Sequence, residues 1–172
     1  KANSGKSLLT NFLASLFPHH CVTSLGIHSL ERTFALESLI GKNLCISGDL
    51  PASPLRSRTI SLLKQATGGD MLHAEIKYMP AVDFKCRANF SLITNHPLRF
   101  SQDEDAFADR LIVIPFRFSV PSEERDPNLM DKILAERNAI VYCGLQTYLR
   151  LAQRKFTFSG QFALNECGCF SA

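Results

Sequence analysis

The sequence predicts an α/β domain with a mainly parallel sheet flanked by helices. Three observations carry that expectation. Apolar residues recur at helical spacing straight after a G-K-S triplet, at Leu8, Leu9, Phe12, Leu13 and Leu16. Short apolar runs without polar alternation, at residues 44–46 and 111–118, suit strands buried on both faces. Helical stretches interleave with these runs along the chain. The chain has 172 residues, and a domain of that size buries roughly 70% of its unfolded surface, enough for one core and too little for two.

Taken in order, residues 6–17 read as a helix that Pro18 ends. A short extended piece follows at 21–25. A second helix is expected over 30–40, stopped by Gly41. Leu44, Cys45 and Ile46 form a buried strand that runs into a Ser47-Gly48-Asp49 loop. Ser53 as N-cap and Pro54 in the first helical position start a helix to about Thr67. Gly68-Gly69-Asp70 is a turn. Extended runs at 72–78 and 84–94 flank a loop holding Pro80 and are expected to pair as one long hairpin. Residues 111–118 suit a central strand. A helical region then runs from Asp126 to about Ala152, broken near Asn138 or Gly144.

Composition excludes several classes. With 45% hydrophobic and 20% charged residues, the chain reads as globular and not disordered. No apolar stretch approaches the roughly 20 residues of a membrane-spanning helix, so no membrane partner is expected. The net charge of +3 permits a nucleic-acid partner without arguing for one. The six cysteines include no C-x-x-C pair, and Cys167 with Cys169 has no nearby histidine to complete a zinc site. All six are expected as reduced thiols, which fits a cytoplasmic location.

The opening residues carry chemistry. Lys1-Ala2-Asn3-Ser4-Gly5-Lys6-Ser7 matches G-x-x-x-x-G-K-[ST] without its first glycine, so the chain is expected to begin within its own phosphate-binding loop. Backbone N–H groups of such a loop, with the start of the following helix, wrap phosphates. Ala2, Asn3, Ser4, Gly5, Lys6 and Ser7 are the expected nucleotide-binding residues, with Lys6 neutralising the β- and γ-phosphates of ATP and the Ser7 hydroxyl holding Mg²⁺. A second acid is needed for the metal and the attacking water, and Asp49, after an apolar run, is the candidate. Asn95 closes the run Ser91-Leu92-Ile93-Thr94, where an amide suits a water facing the γ-phosphate. Arg110, between Asp103-Glu104-Asp105 and the apolar run from Leu111, suits either a pairing with those acids or an arginine finger into a neighbouring subunit. Bland alternatives stand beside these: a capping turn at 5–7, a turn aspartate before Pro51, and a loop-starting Asn-His-Pro.

The order of parts then becomes recognisable. A-N-S-G-K-S, L-I-G-K-N-L-C-I-S-G-D-L, L-K-Q-A-T-G-G-D, I-K-Y with a later D-F-K, N-F-S-L-I-T-N-H-P and D-A-F-A-D-R-L-I-V-I-P-F resemble superfamily 3 helicases. More closely they resemble the C-terminal ATPase domain of phage and plasmid primase–helicases, relatives of the poxvirus primase–helicase. The resemblance covers residues 1–158 and leaves 159–172 outside any pattern. It implies a P-loop fold of the AAA+ type, with Lys6 and Ser7 in Walker A and Asp49 at the Walker B position, commonly a glutamate in that family. It also implies Asn95 as the sensor asparagine and Arg110 as the second of two arginines, Asp109 replacing the first. Gly68, Gly69, Asp70 and Lys77 fall in the motif leading to a DNA-contacting hairpin.

On that hairpin Lys77 and Tyr78 stand before the expected bend at Met79-Pro80-Ala81-Val82, with Lys85 and Arg87 after it. Lys77, Tyr78 and Lys85 are the expected DNA contacts, cations for phosphates and a ring for a base. The implied partners are single-stranded or forked DNA, further copies of the chain in a hexameric ring, and a primase domain upstream. A small-molecule P-loop kinase or other NTPase, or an inactive prophage remnant, are the alternative readings.

Overall fold

The structure, a computed structural model, describes residues 3–50, 52–100 and 104–157. Ala2, Asp103, Cys167, Cys169 and the segment 159–172, all singled out from the sequence, lie outside them.

Helix α1 spans Lys6–Ser15 and follows Gly5, whose φ of 86° only glycine adopts cheaply. A 3-10 turn leads into β1, Val22–Ser24. β2 spans Leu44–Leu50 and α2 spans Ser57–Gly68, closed by Gly69 at φ 80°. β3, Met71–Ile76, and β4, Met79–Lys85, form an antiparallel pair. β5 spans Asn89–Thr94. The short α3, Asp105–Ala108, is followed by α4, Leu129–Ala135, and α5, Arg137–Gln153.

The main sheet is parallel, with order β1-β2-β5. Its registers set Val22 opposite Leu44, Ser47 opposite Leu92 and Leu50 opposite Thr94. Leu44 and Cys45 of the middle strand, which point to opposite faces, are 5% and 1% exposed, as expected of a strand covered on both faces. The core gathers Ile27 and Leu39 from the segment between β1 and β2, Leu50 from β2, Ile60 and Leu63 from α2, Phe107 from α3 and Leu72 from the base of the hairpin. This is a mixed α/β fold with a parallel sheet flanked by helices, as the sequence predicts. Among the described residues no helix is long and apolar enough to cross a membrane.

Four expectations need correction. The helix expected over 30–40 is two 3-10 turns, Ile27–Glu31 and Ala35–Leu39. Between them Phe34 takes a left-handed φ of 67°, which no helix accommodates. The helix expected from Ser53 starts at Ser57, because Leu55 is tied elsewhere: it is buried and its N–H donates to Arg99 O at 2.8 Å.

The hairpin is shorter than expected. Its bend is Lys77-Tyr78, with Pro80 inside β4, while residues 89–94 leave the hairpin and pair in parallel with β2. Residues 111–118 form no strand, and Ile112, Ile114 and Phe118 are 67%, 63% and 83% exposed. An apolar run favours extended backbone, but a strand also needs a partner strand for its N–H and C=O groups, and this segment pairs with none among the described residues. The break expected near Asn138 or Gly144 falls at Glu136, two residues before Asn138, and Gly144 lies within α5.

Candidate functional site

The loop before α1 is tightly turned. Asn3 at φ 55° and Gly5 at φ 86° are both left-handed and bracket Ser4. Gly5 O accepts the Leu9 N–H at 3.0 Å, so the helix begins immediately, and its first amides have no intrahelical acceptor. Lys6 Nζ donates to Ser4 Oγ at 3.0 Å, folding the ammonium back over the loop. Ser7 is exposed in the first turn. Although 111–118 is no strand, this stretch and its continuation back the loop. Val120 N–H donates to Asn3 O at 2.9 Å, and a Cβ on Gly5 would sit 3.9 Å from the Phe116 ring.

Asp49 lies within β2 rather than in a loop after it. Asn95 directly follows β5 and is exposed. Because Leu50 pairs with Thr94, these two residues flank one register position at the carboxyl ends of adjacent parallel strands. In open α/β sheets that end is where ligands bind. α1 packs against β5, so the helix that follows Gly5 lies on the strand that leads to Asn95. The loop's backbone and the Lys6 and Ser7 side chains fit a phosphorylated ligand with its metal.

Arg110 is exposed, and its Nη1 donates to Lys64 O and, at 3.1 Å, to Thr67 Oγ1. The guanidinium thus ties Arg110 to the C-terminal turns of α2. Of the neighbouring acids, Glu104 pairs with Lys64 at 2.9 Å. The sequence did not reveal the α2 contact, since 43 residues separate Arg110 from Thr67.

At the hairpin, Lys77 and Tyr78 form the tip. Tyr78 is 92% exposed with φ 62°, and Lys77 Nζ stands 4.9 Å from its ring centroid. Lys85, paired with Met71, lies at the opposite end of the hairpin. It therefore shares an element with the tip but not a location. Cys86 and Ala88, both buried, then lead from β4 into β5 and Asn95. Cys45 and Cys86 are buried thiols, and burial together with the neighbouring Cys86 pushes Cys45 up to about 11.

The fold has counterparts among solved structures. The A form apo structure of the NrS-1 C terminal region is similar at TM-score 0.60 and 20% identity, covering 80% of this chain and 32% of that one. A further apo structure of that region gives TM-score 0.54 at 19% identity, covering 80% and 33%. The likeness is one of fold, and the chain spans about a third of the length of these structures. The sequence profile of a family of unknown function, DUF5906, matches residues 1–110, which include the phosphate loop, both strand ends, the hairpin and Arg110. That match takes in well over half of the chain, and the chain belongs to the DUF5906 family.

Proposed function

We propose that the chain is the ATP-hydrolysing core of a DNA helicase of the phage- or plasmid-type primase–helicase kind, with a P-loop fold of the AAA+ type. One observation carries the reading: a glycine-turned loop with Lys6 at the start of α1, whose helix packs on the strand that ends at Asn95, beside the end of β2 that holds Asp49. The order of sequence motifs and the fold likeness support it independently.

In this reading the loop amides and Lys6 bind the nucleotide's phosphates, and Ser7 and Asp49 hold Mg²⁺. The bound metal supplies charge neutralisation at the phosphates. Asp49 and Asn95 position the attacking water, and the adjacency of their strands keeps the two at a fixed spacing. Arg110 reaches a neighbouring copy across a ring, a hexamer on the family resemblance. A guanidinium has five N–H donors, and the α2 contacts use only those of Nη1. Lys77 and Tyr78 contact single-stranded DNA. The short path from β4 through Cys86 and Ala88 to Asn95 links the nucleotide end of β5 to the hairpin.

The test is Lys6→Ala in the full-length protein, assayed for ATP turnover with and without single-stranded DNA. Removing a cation aimed at the transferred phosphate is expected to lower turnover on the order of a hundredfold or more. Near-normal turnover by a folded Lys6→Ala protein would remove the phosphate-loop assignment.

A further inference from the structure

A second polar pocket lies at the same end of the sheet and shares no residue with the phosphate loop. It is lined by His28, Glu31 and Arg32, from the turn after β1, and by Ser53, Pro54 and Arg56, from the segment between β2 and α2. Both segments follow carboxyl ends of parallel strands, where ligand crevices of α/β sheets form.

The charges are unequal. Arg32 and Arg56 contribute two guanidinia against the single carboxylate of Glu31, and Arg58 acts on the same carboxylate from nearby. That carboxylate is already engaged: Oε1 accepts the Thr59 hydroxyl, and Oε2 faces Arg56 Nη1 at 3.5 Å. The Thr59 bond, then the Arg56 charge, hold Glu31 below the usual carboxylate range, so it stays an anion that fixes Arg56 in place. Arg32 is exposed and has no side-chain partner among the described residues. His28 Nε2 is shielded from solvent, also without a hydrogen-bond partner among the described residues. A buried polar atom left unmet is costly and calls for a ligand that meets it.

We propose that this pocket binds a phosphate group, with Arg32 and Arg56 supplying charge, the Ser53 hydroxyl a hydrogen bond and the ring of His28, which lines the pocket, a further donor. Guanidinia present paired donors that match tetrahedral oxyanions, and an imidazole N–H completes a converging set. The phosphate belongs either to a nucleic-acid backbone or to a small free molecule.

The proposal is tested by following the His28 imidazole by ¹⁵N–¹H NMR in the full chain carrying Lys6→Ala, which disables the first phosphate site. Inorganic phosphate and an oligothymidylate strand are titrated separately, with chloride at matched ionic strength as the reference. The expected result is a saturable His28 shift with a phosphate probe and none with chloride. Response to the strand at far lower concentration assigns the site to a nucleic-acid backbone; response to inorganic phosphate alone assigns it to small phosphates. Arg32→Gln is expected to weaken binding about tenfold, the loss of one charge-assisted contact, and Arg32→Lys to recover part of it. Because Arg32 is exposed, neither change threatens the fold. No His28 shift with either probe, or an undiminished one in Arg32→Gln, would overturn the proposal.

Discussion

Tyr78 sits in a conformation that its side chain disfavours, and Tyr78→Gly separates the turn's geometry from the ring's use. The residue is the second of a two-residue bend, with φ 62°, where glycine or asparagine is the low-cost occupant. A left-handed conformation costs a non-glycine residue about 1–2 kcal/mol. Glycine offsets this with about 0.4–1 kcal/mol of added freedom in the unfolded chain. The substitution also removes the exposed Lys77 contact with the ring, at 4.9 Å, which contributes about 0.5–1 kcal/mol. These terms leave a net change between roughly −1 and +1 kcal/mol, a shift in melting midpoint within about 4 °C for a chain of this size.

The ring itself makes no other contact that stabilises the fold, being 92% exposed, so its loss should register elsewhere. The six residues of β3 carry it roughly 20 Å along the hairpin. If a base stacks there, Tyr78→Gly removes about 1–3 kcal/mol of binding, or about 5- to 150-fold in affinity. The assay pairs fluorescence anisotropy of a labelled single strand with a thermal melt of the same preparations. An unchanged affinity with an unchanged melt would show that the ring takes no part in binding. A melting midpoint lowered by much more than 4 °C would instead refute the account of the turn.

Other outcomes follow from the same contacts. Arg110→Ala should lower stability by about 1–2 kcal/mol, because it removes the donors that serve Lys64 O and Thr67 Oγ1 at the end of α2. Mixed with Lys6→Ala subunits, it is expected to recover part of the lost ATP turnover, and no recovery at any ratio would confine Arg110 to its own helix. Cys45, pushed up to about 11, should resist alkylation in the native protein while the exposed Cys143 reacts; equal labelling rates would contradict the burial argument. Since the folded state then holds a proton that the unfolded thiol loses near pH 9, stability should fall as pH rises from about 9 to 11. A flat denaturation midpoint across that interval in a Cys86→Ala background would count against it.

Short-range chemistry was legible from the residues alone. The α1 pattern from Lys6, the apolar strand through Cys45 and the Gly69 stop after α2 are local features, and each element forms where its pattern stands. The candidate site was legible to the same degree. Gly5, Lys6 and Ser7 are neighbours in sequence, and Asp49 and Asn95 each end or follow an apolar run, so pattern was enough to single them out.

Pairing and capping were not legible, because their partners are distant in the chain. Nothing local distinguishes residues 89–94 as an arm of a hairpin from a strand lying parallel to β2; the hydrogen-bond edge that β2 offers settles it. Residues 111–118 have the composition of a strand yet form none, since composition sets backbone preference whereas a ladder requires a neighbour. Residues 30–40 carry helical apolar spacing, but the demands of packing Ile27, Leu30 and Leu39 into one core split them into two tight turns around Phe34. The sequence by itself thus determined the α/β class, written in periodicity, and singled out residues 2–7 as the candidate phosphate loop, written in adjacent residues. Which strands pair, what Arg110 holds and how His28 comes to line one pocket with Ser53 and Arg56 were decided by tertiary structure, because those free energies exist only once remote segments share a surface.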